Sequence, residues 1–347
     1  MSRHVNIPIF IPHLGCPNQC VFCNQRVISG KRDFNPEELS AIIDNALSSV
    51  EQTAEVEIAF FGGSFTGIDY NLMTRLLEIA SGYIERGRVS SIRCSTRPDY
   101  ITPKILDTLW HYGVRTIELG LQSSSDSVLS ASKRGHTRAD EITACRAIKE
   151  YGFSLVGQMM IGLPGATPES EIETAEFIVS MNADAARIYP TVVFVGTELA
   201  DMTKSGIYTP LTNTEAAERS AKVFSVFRTG GVKVIRIGLH SSENLSSDET
   251  YVGGPNHSAM GELVIGEYFY LKMTENLDKS ADYRSFVLNI YVPRGCISKA
   301  VGQNKRNKTR LIQEFGFCRV NFYENPDLDE YEVVAQTERI KDVFKNS

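Results

Sequence analysis

The sequence predicts an α/β protein, a partial (β/α) barrel followed by a small α+β domain. Three observations lead there. Through the first two thirds of the 347 residues, short apolar runs alternate with segments of helical period. Strands alternating with helices imply parallel strands joined by right-handed crossovers. The chemically distinctive segments each fall directly after an apolar run, where the active sites of such barrels lie. Beyond residue 285 the alternation stops and the order becomes strand, helix, turn, helix, strand, strand, helix.

Taken in order, the apolar runs that read as strands are 5–10, 56–61, 91–94, 116–121, 153–161, 186–193 and 232–237. The segments of helical period between them are 36–50, 70–82, 103–112, 137–151, 168–181 and 214–229. From 240 the chain turns loop-rich, in HSSENLSSDETYVGGPNHS, and a helical pattern follows at 262–276. The tail gives a strand at 285–292, helices at 297–301 and 307–315, strands at 317–323 and 331–336, and a helix at 337–344. The expected domains are therefore a barrel over 1–239, a connecting loop and helix over 240–284, and an α+β domain over 285–347. No internal repeat or low-complexity tract interrupts them.

A hydrophobic content of 42% supports a sizeable core. No run of about 18 apolar residues is present and the start MSRHVNIPIF lacks the pattern of a signal peptide, so a soluble, cytoplasmic protein with no membrane partner is expected. The seven cysteines are an odd number, and Cys94, Cys145, Cys296 and Cys318 are widely scattered, unlike a disulfide framework. A net charge of −6 argues against a protein that is basic throughout. Locally the balance reverses: Arg294, Lys299, Lys305, Arg306, Lys308 and Arg310 lie together with no acidic residue among them. Such a segment on an acidic chain marks either an anionic partner or a solvated helix face.

The most informative run is CPNQCVFC, residues 16–23. It supplies three thiols, Cys16, Cys20 and Cys23, from one short loop after the first strand. A four-iron cluster held by three thiolates keeps one iron without a protein ligand. Zinc or a redox role is the alternative, but zinc sites close with a fourth Cys or His at short spacing. No cysteine follows Cys23 until Cys94, and His13 is the nearby histidine. The CxxxCxxC spacing, with Phe22 before the last cysteine, resembles the signature of radical S-adenosylmethionine (SAM) enzymes. The resemblance implies a [4Fe–4S] cluster whose open iron binds SAM, and reductive cleavage of the sulfonium to a deoxyadenosyl radical. It also implies an electron donor such as flavodoxin or ferredoxin.

After the second strand comes FFGGSFTG, residues 60–67, in which Gly62 and Gly63 permit close backbone approach and Ser64 and Thr66 offer polar groups. STRPDY (95–100), ELGLQS (118–123), RGHT (134–137), MMIGLPG (159–165) and RIYPT (187–191) then appear in that order. This series resembles the radical domain of the Elongator catalytic subunit and, more distantly, oxygen-independent coproporphyrinogen oxidase, over residues 5–209. No stretch resembles the acetyltransferase domain that follows in Elongator, so acetyl-CoA-dependent carboxymethylation is not expected. By position, the resemblance places the glycine pair at the methionine amino group, Gln122 at the ribose, Arg134 at the SAM carboxylate and Gln158 at the nucleoside. It runs the backbone of Ile161 and Gly162 beside the adenine. Ser95 stands where Elongator-type relatives have Glu. Tyr189, at the end of a strand, is the candidate for substrate contact, with a core tyrosine as the alternative.

The segment 292–323 resembles a type I KH domain, whose GxxG loop clamps a single-stranded nucleic-acid backbone between two short helices. Here the loop is Gly302, Gln303, Asn304 and Lys305, with Lys305 in place of the second glycine. Arg294, Lys299, Gly302, Lys305, Arg306, Lys308 and Arg310 form the expected RNA-binding set, with a structural role for the tail as the alternative. The leading expectation is a cytoplasmic transferase that modifies a nucleobase carbon of tRNA or rRNA, with no DNA partner. The alternatives are a radical enzyme acting on a tetrapyrrole-like small molecule or a peptide, and a non-catalytic RNA-binding protein with a structural cluster.

Overall fold

The computed structural model describes residues 4–11, 14–16, 20–24, 34–239 and 250–340. Two compact units divide the chain, Met1–Thr212 with Val226–Asn256, and Asn213–Ser225 with His257–Ser347.

In the first unit the alternation produces β1 (His4–Phe10), α1 (Leu39–Ser48), β2 (Glu55–Phe61), α2 (Tyr70–Glu85), β3 (Ser91–Thr96) and α3 (Pro103–His111). The chain continues as β4 (Val114–Gln122), α4 (Asp126–Ala131), α5 (Arg138–Glu150), β5 (Ser154–Ile161), α6 (Pro168–Ser180) and β6 (Ala185–Pro190). After β7 (Val193–Phe194) and α7 (Glu198–Lys204) comes α8 (Asn213–Thr229), of which Asn213–Ser225 belongs to the second unit, and β8 (Lys233–Ile237) and β9 (Tyr251–Gly253) complete the first. The seven main strands form one open, parallel sheet in the order β1-β2-β3-β4-β5-β6-β8, the curled half-barrel that the alternation predicts. Helix starts are set by side-chain caps. Asp69 accepts from Leu72 N at 3.0 Å to open α2, and Thr137 and Asp140 form a reciprocal capping box at α5.

Strand alternation sorts residues between the two faces. In β3, Ile92, Cys94 and Thr96 are buried, while Ser91, Arg93 and Ser95 are half-buried on the opposite face. Ile58, Phe60, Ile92, Ile117 and Leu119 are fully or almost fully buried, each such side chain contributing roughly 1.5–3 kcal/mol relative to exposure. The expected strand over 186–193 is two strands. Proline 190 ends β6, and the next residues leave the sheet so that β7 pairs antiparallel with β9.

The second unit holds α9 (Met260–Thr274), β10 (Phe286–Val292), α10 (Ile297–Val301), α11 (Arg306–Phe315), β11 (Arg319–Glu324) and β12 (Val334–Arg339). Its sheet runs β11-β10-β12, with β10 parallel to β11 and antiparallel to β12. Leu288, Ile290, Val292 and Val320 are buried, as are Ala300, Leu311 and Phe315 of the helices. Helix α9, placed by the sequence in a connecting segment, belongs to this unit: Asn307 Nδ2 donates to Gly266 O at 2.7 Å and to Ala300 O at 3.0 Å, joining α9, α10 and α11. The expected helix over 337–344 is corrected at its start. Thr337–Arg339 complete β12 because Thr337 and Glu338 pair with Leu288 and Val287 of β10, and residues 341–347 lie outside the described ones.

Candidate active site

The loops that follow the strands build one site in the first unit. The segment after β1 continues the sheet for one residue, Ile11 N donating to Phe61 O at 2.7 Å, and then crosses the glycine loop that follows β2. Ser64 N donates to Leu14 O at 3.2 Å. Gly62 has φ +107°, and a methyl added at Gly63 would lie 2.2 Å from Leu14 O. The glycine pair is therefore required where the cysteine loop passes over it.

Beyond this crossing, Cys16 Sγ lies 3.5 Å from Ser64 Oγ, and Cys23 N donates to Cys20 O at 3.0 Å. Cys20 is buried, whereas Cys16 and Cys23 are half-buried. The residues between the last two cysteines anchor the loop. Val21 packs in an apolar cluster with Val193, Leu199, Ala200 and Tyr208, with Phe22 against it. Val21 also donates its N–H to Ser132 O at 3.2 Å and accepts from Leu199 N at 2.8 Å. Among the described residues no three His, Cys, Asp or Glu side chains converge on a point where one metal ion would sit. Thiolates that ligate separate irons of a cluster do not need to converge in that way. His13 lies outside the described residues.

Two arginines stand behind the loop. Arg134, 6% exposed, sends Nη1 to Cys20 Sγ at 3.2 Å and Nη2 to Gly120 O at 2.5 Å, and its buried Nε has no hydrogen-bond partner. Arg97 donates bidentately to Asp99 at 2.9 and 3.0 Å and also to the carbonyl of Arg134. Burial works against its charge, but the hydrogen bond and charge of Asp99, then the Cys20 and Cys16 charges, raise its pKa overall. Gln122 ends β4 with φ +73°, a strained value for a residue with a side chain, and its Oε1 is buried without a partner. Unpaired buried polar atoms beside three thiols are what a polar cofactor satisfies. Thr66 and Thr96 hydroxyls meet at 2.6 Å. Behind Arg134, His136 and Glu141 share a fully buried hydrogen bond of 3.0 Å, and burial pushes the imidazole down and the carboxyl up.

The interior face of the sheet carries a charged network that the sequence did not single out. Glu118 is fully buried and accepts from Arg93 at 2.9 Å, Arg187 at 2.8 Å and Gln158 at 3.1 Å. Arg93 also pairs with Glu57, which accepts from Ser91 at 2.6 Å and lies 2.9 Å from His4 Nε2. Burial works to raise the Glu57 carboxyl, but Ser91, Arg93 and His4 outweigh it and hold it below its ordinary value. Arg187 Nη1 donates to Tyr189 Oη at 3.3 Å. Gln158 and Tyr189 thus both belong to this network, and Ser95 lies in register with Glu118. The signal was available as charged residues at alternate strand positions inside apolar runs.

Other expected site groups are engaged within the protein. Ile161 O accepts from Thr191 N at 2.9 Å and Thr191 Oγ1 at 2.7 Å. Gly162 N donates to Glu171 Oε1, and Gly162 O accepts from Tyr208 Oη, each at 2.6 Å. In the second unit, Gly302 to Lys305 join α10 to α11, and Lys305 has φ 60° and ψ 25°, a left-handed conformation where glycine is usual. Arg294, Lys299 and Lys305 are exposed and Lys308 is half-buried. Arg310 instead pairs with Glu267 at 2.6 Å and Glu314 at 3.1 Å, and Arg306 lies 3.4 Å from Glu218.

A parallel half-barrel whose loops beyond the strand ends carry three cysteines, a glycine cradle and unpaired buried donors defines a class, the barrel enzymes that hold a cluster and a second cofactor on it. The description Radical SAM superfamily matches residues 10–178, and that of the radical SAM C-terminal domain matches residues 183–269. The chain belongs to the radical SAM superfamily, whose cofactors are a [4Fe–4S] cluster and SAM. It is similar to the tRNA uridine(34) acetyltransferase of Methanocaldococcus jannaschii, 32% identical over 186 residues that cover 48% of this chain and 34% of the relative. It is also similar to Elongator complex protein 3 of Saccharomyces cerevisiae, 28% identical over 238 residues that cover 57% of this chain and 43% of the relative. The chain spans well under two thirds of the length of both. The solved structure of archaeal Elp3 from Methanocaldococcus infernus superposes with a TM-score of 0.61 at 23% identity, covering 78% of this chain and 68% of that one, which shows the fold.

Proposed function

We propose that this radical SAM enzyme modifies a nucleobase carbon of RNA, in tRNA or rRNA. The observation that carries the reading is its similarity to relatives named for tRNA uridine(34) acetylation, on a chain whose tail also presents exposed Arg294, Lys299 and Lys305 around a loop between two short helices. Such cations supply phosphate contacts that give affinity without reading sequence. The tail then acts as a KH-like clamp on flanking nucleotides, with Gly302 and the left-handed Lys305 shaping the loop.

In the barrel, Cys16, Cys20 and Cys23 would hold the cluster. Gly62, Gly63 and Ser64 would line the methionine end of SAM, Gln122 and Arg134 would offer their unpaired buried atoms to it, and the backbone at Ile161 and Gly162 would pass the adenine. When bound, the cluster and SAM supply a deoxyadenosyl radical. The chain's own part is to orient the base and exclude water, with Tyr189, steadied by Arg187, as the substrate contact. The reading implies a cytoplasmic enzyme served by a small electron-transfer protein such as flavodoxin or ferredoxin. Among the described residues no helix is long and apolar enough to cross a membrane.

Mass spectrometry of total tRNA and rRNA nucleosides from cells with and without the gene tests the proposal. One modified nucleoside should disappear on deletion. Identical nucleoside profiles would direct the search to small-molecule or peptide substrates.

A further inference from the structure

The segment RPDY, residues 97–100, directly follows β3 and contains the other buried arginine of the site. Arg97 is 3% exposed. Two sides of its guanidinium are fixed by Asp99 and by the carbonyl of Arg134, while Nη1 is buried with no partner. A buried N–H without an acceptor is costly, and this one accompanies the similarly unpaired Nε of Arg134. Asp99 is 26% exposed on its side chain, so water screens the carboxylate more than the cation. Arg97 also holds the backbone of the residue whose Nη1 reaches Cys20 Sγ at 3.2 Å.

We propose that Arg97 is a positioning and charge-compensating residue of the cluster site, fixing Arg134 against Cys20 and favouring the extra negative charge that the cluster takes on reduction. Net charge and hydrogen bonding around the sulfurs are the levers by which a protein sets such a potential, and a nearby buried cation raises it. The proposal depends on the cluster and is independent of the substrate.

The test is an EPR-monitored redox titration of the anaerobically reconstituted full chain, first without SAM and then with it, beside an iron assay. Arg97→Gln should retain its iron and titrate lower. At the wild-type midpoint its reduced-to-oxidised ratio should fall about tenfold, about 59 mV for one electron. Asp99→Asn, at the more exposed partner, should move the midpoint the other way by unbalancing the cation. Arg97→Lys should recover most of the glutamine shift, since it keeps the charge and loses the fork. Wild-type potentials in both Arg97→Gln and Asp99→Asn would overturn the proposal. So would a lysine variant as low as the glutamine one, which would assign the effect to packing, or a shift seen only with SAM present, which would assign Arg97 to the SAM carboxylate. Should Arg97→Gln fail to fold, an unmoved Asp99→Asn midpoint overturns it alone.

Discussion

Replacing Glu118 by Gln keeps the shape of a fully buried side chain and removes the charge that Arg93, Arg187 and Gln158 address. Breaking one partner out of a buried ion pair costs about 3–5 kcal/mol, because the remaining charge stays desolvated. Arg93 retains Glu57, so the lower end, about 3 kcal/mol, applies. With a urea m-value of about 3 kcal/mol/M, the midpoint should fall by about 1 M. The single tryptophan, Trp110, packs edge-on against Phe153 at 5.2 Å within the barrel unit, so its fluorescence isolates that unit where a two-state treatment of the whole chain would fail. Removing both partners, Glu118→Leu with Arg187→Met, should cost less than Glu118→Gln alone. A midpoint within about 0.3 M of wild type in the single variant would show that water, not the arginines, solvates this carboxylate.

Four further outcomes are expected. The Glu141 carboxyl is pushed up to about 9 by burial, so the folded barrel keeps a proton that the unfolded chain releases above its ordinary pKa; this contribution is complete below pH 4.5 and is lost as pH rises toward 9. Urea midpoints between pH 6 and 9 should therefore decline less in Glu141→Gln, and parallel curves would contradict it. Gly63→Ala places a methyl 2.2 Å from Leu14 O and 3.0 Å from Ile11 O, so the cysteine loop must shift and iron bound after anaerobic reconstitution should fall by more than half; full iron would mean that the crossing tolerates the methyl. Changing Arg294, Lys299 and Lys305 together to Ala should flatten the salt dependence of RNA binding by roughly two units of log K per log salt, about 0.7 per contact. Arg310→Ala should leave that slope unchanged while lowering stability, because its guanidinium is already held by Glu267 and Glu314; equal slopes in wild type and the triple variant would sink the clamp.

The barrel was legible because its parallel strands and helices keep regular periods over long stretches. The break between Pro190 and Val193 was not, since it depends on pairing with Tyr251–Gly253 far along the chain. The same reason hid the end of β12, where Thr337 to Arg339 read as helix alone and become strand against β10. In the site, the cysteines and glycines were visible from spacing. Arg97 lay inside a motif used only for resemblance, and its importance rests on contacts to Asp99 and Arg134. Glu57, Arg93, Glu118 and Arg187 sit on separate strands, so only the sheet register reveals one network. The basic tail looked uniform by charge, yet the fold separates Arg310, spent on an ion pair, from exposed Lys299 and Lys305.

The most direct measurement of the central claim is the formation of 5′-deoxyadenosine by anaerobically reconstituted protein given SAM and a reductant, with and without RNA from cells lacking the gene. Wild type should release it, faster with that RNA than without and with a mass change in one RNA nucleoside. Each of Cys16→Ala, Cys20→Ala and Cys23→Ala should release none. Undiminished release from all three cysteine variants, or no release from wild type with a full complement of iron, would contradict the account.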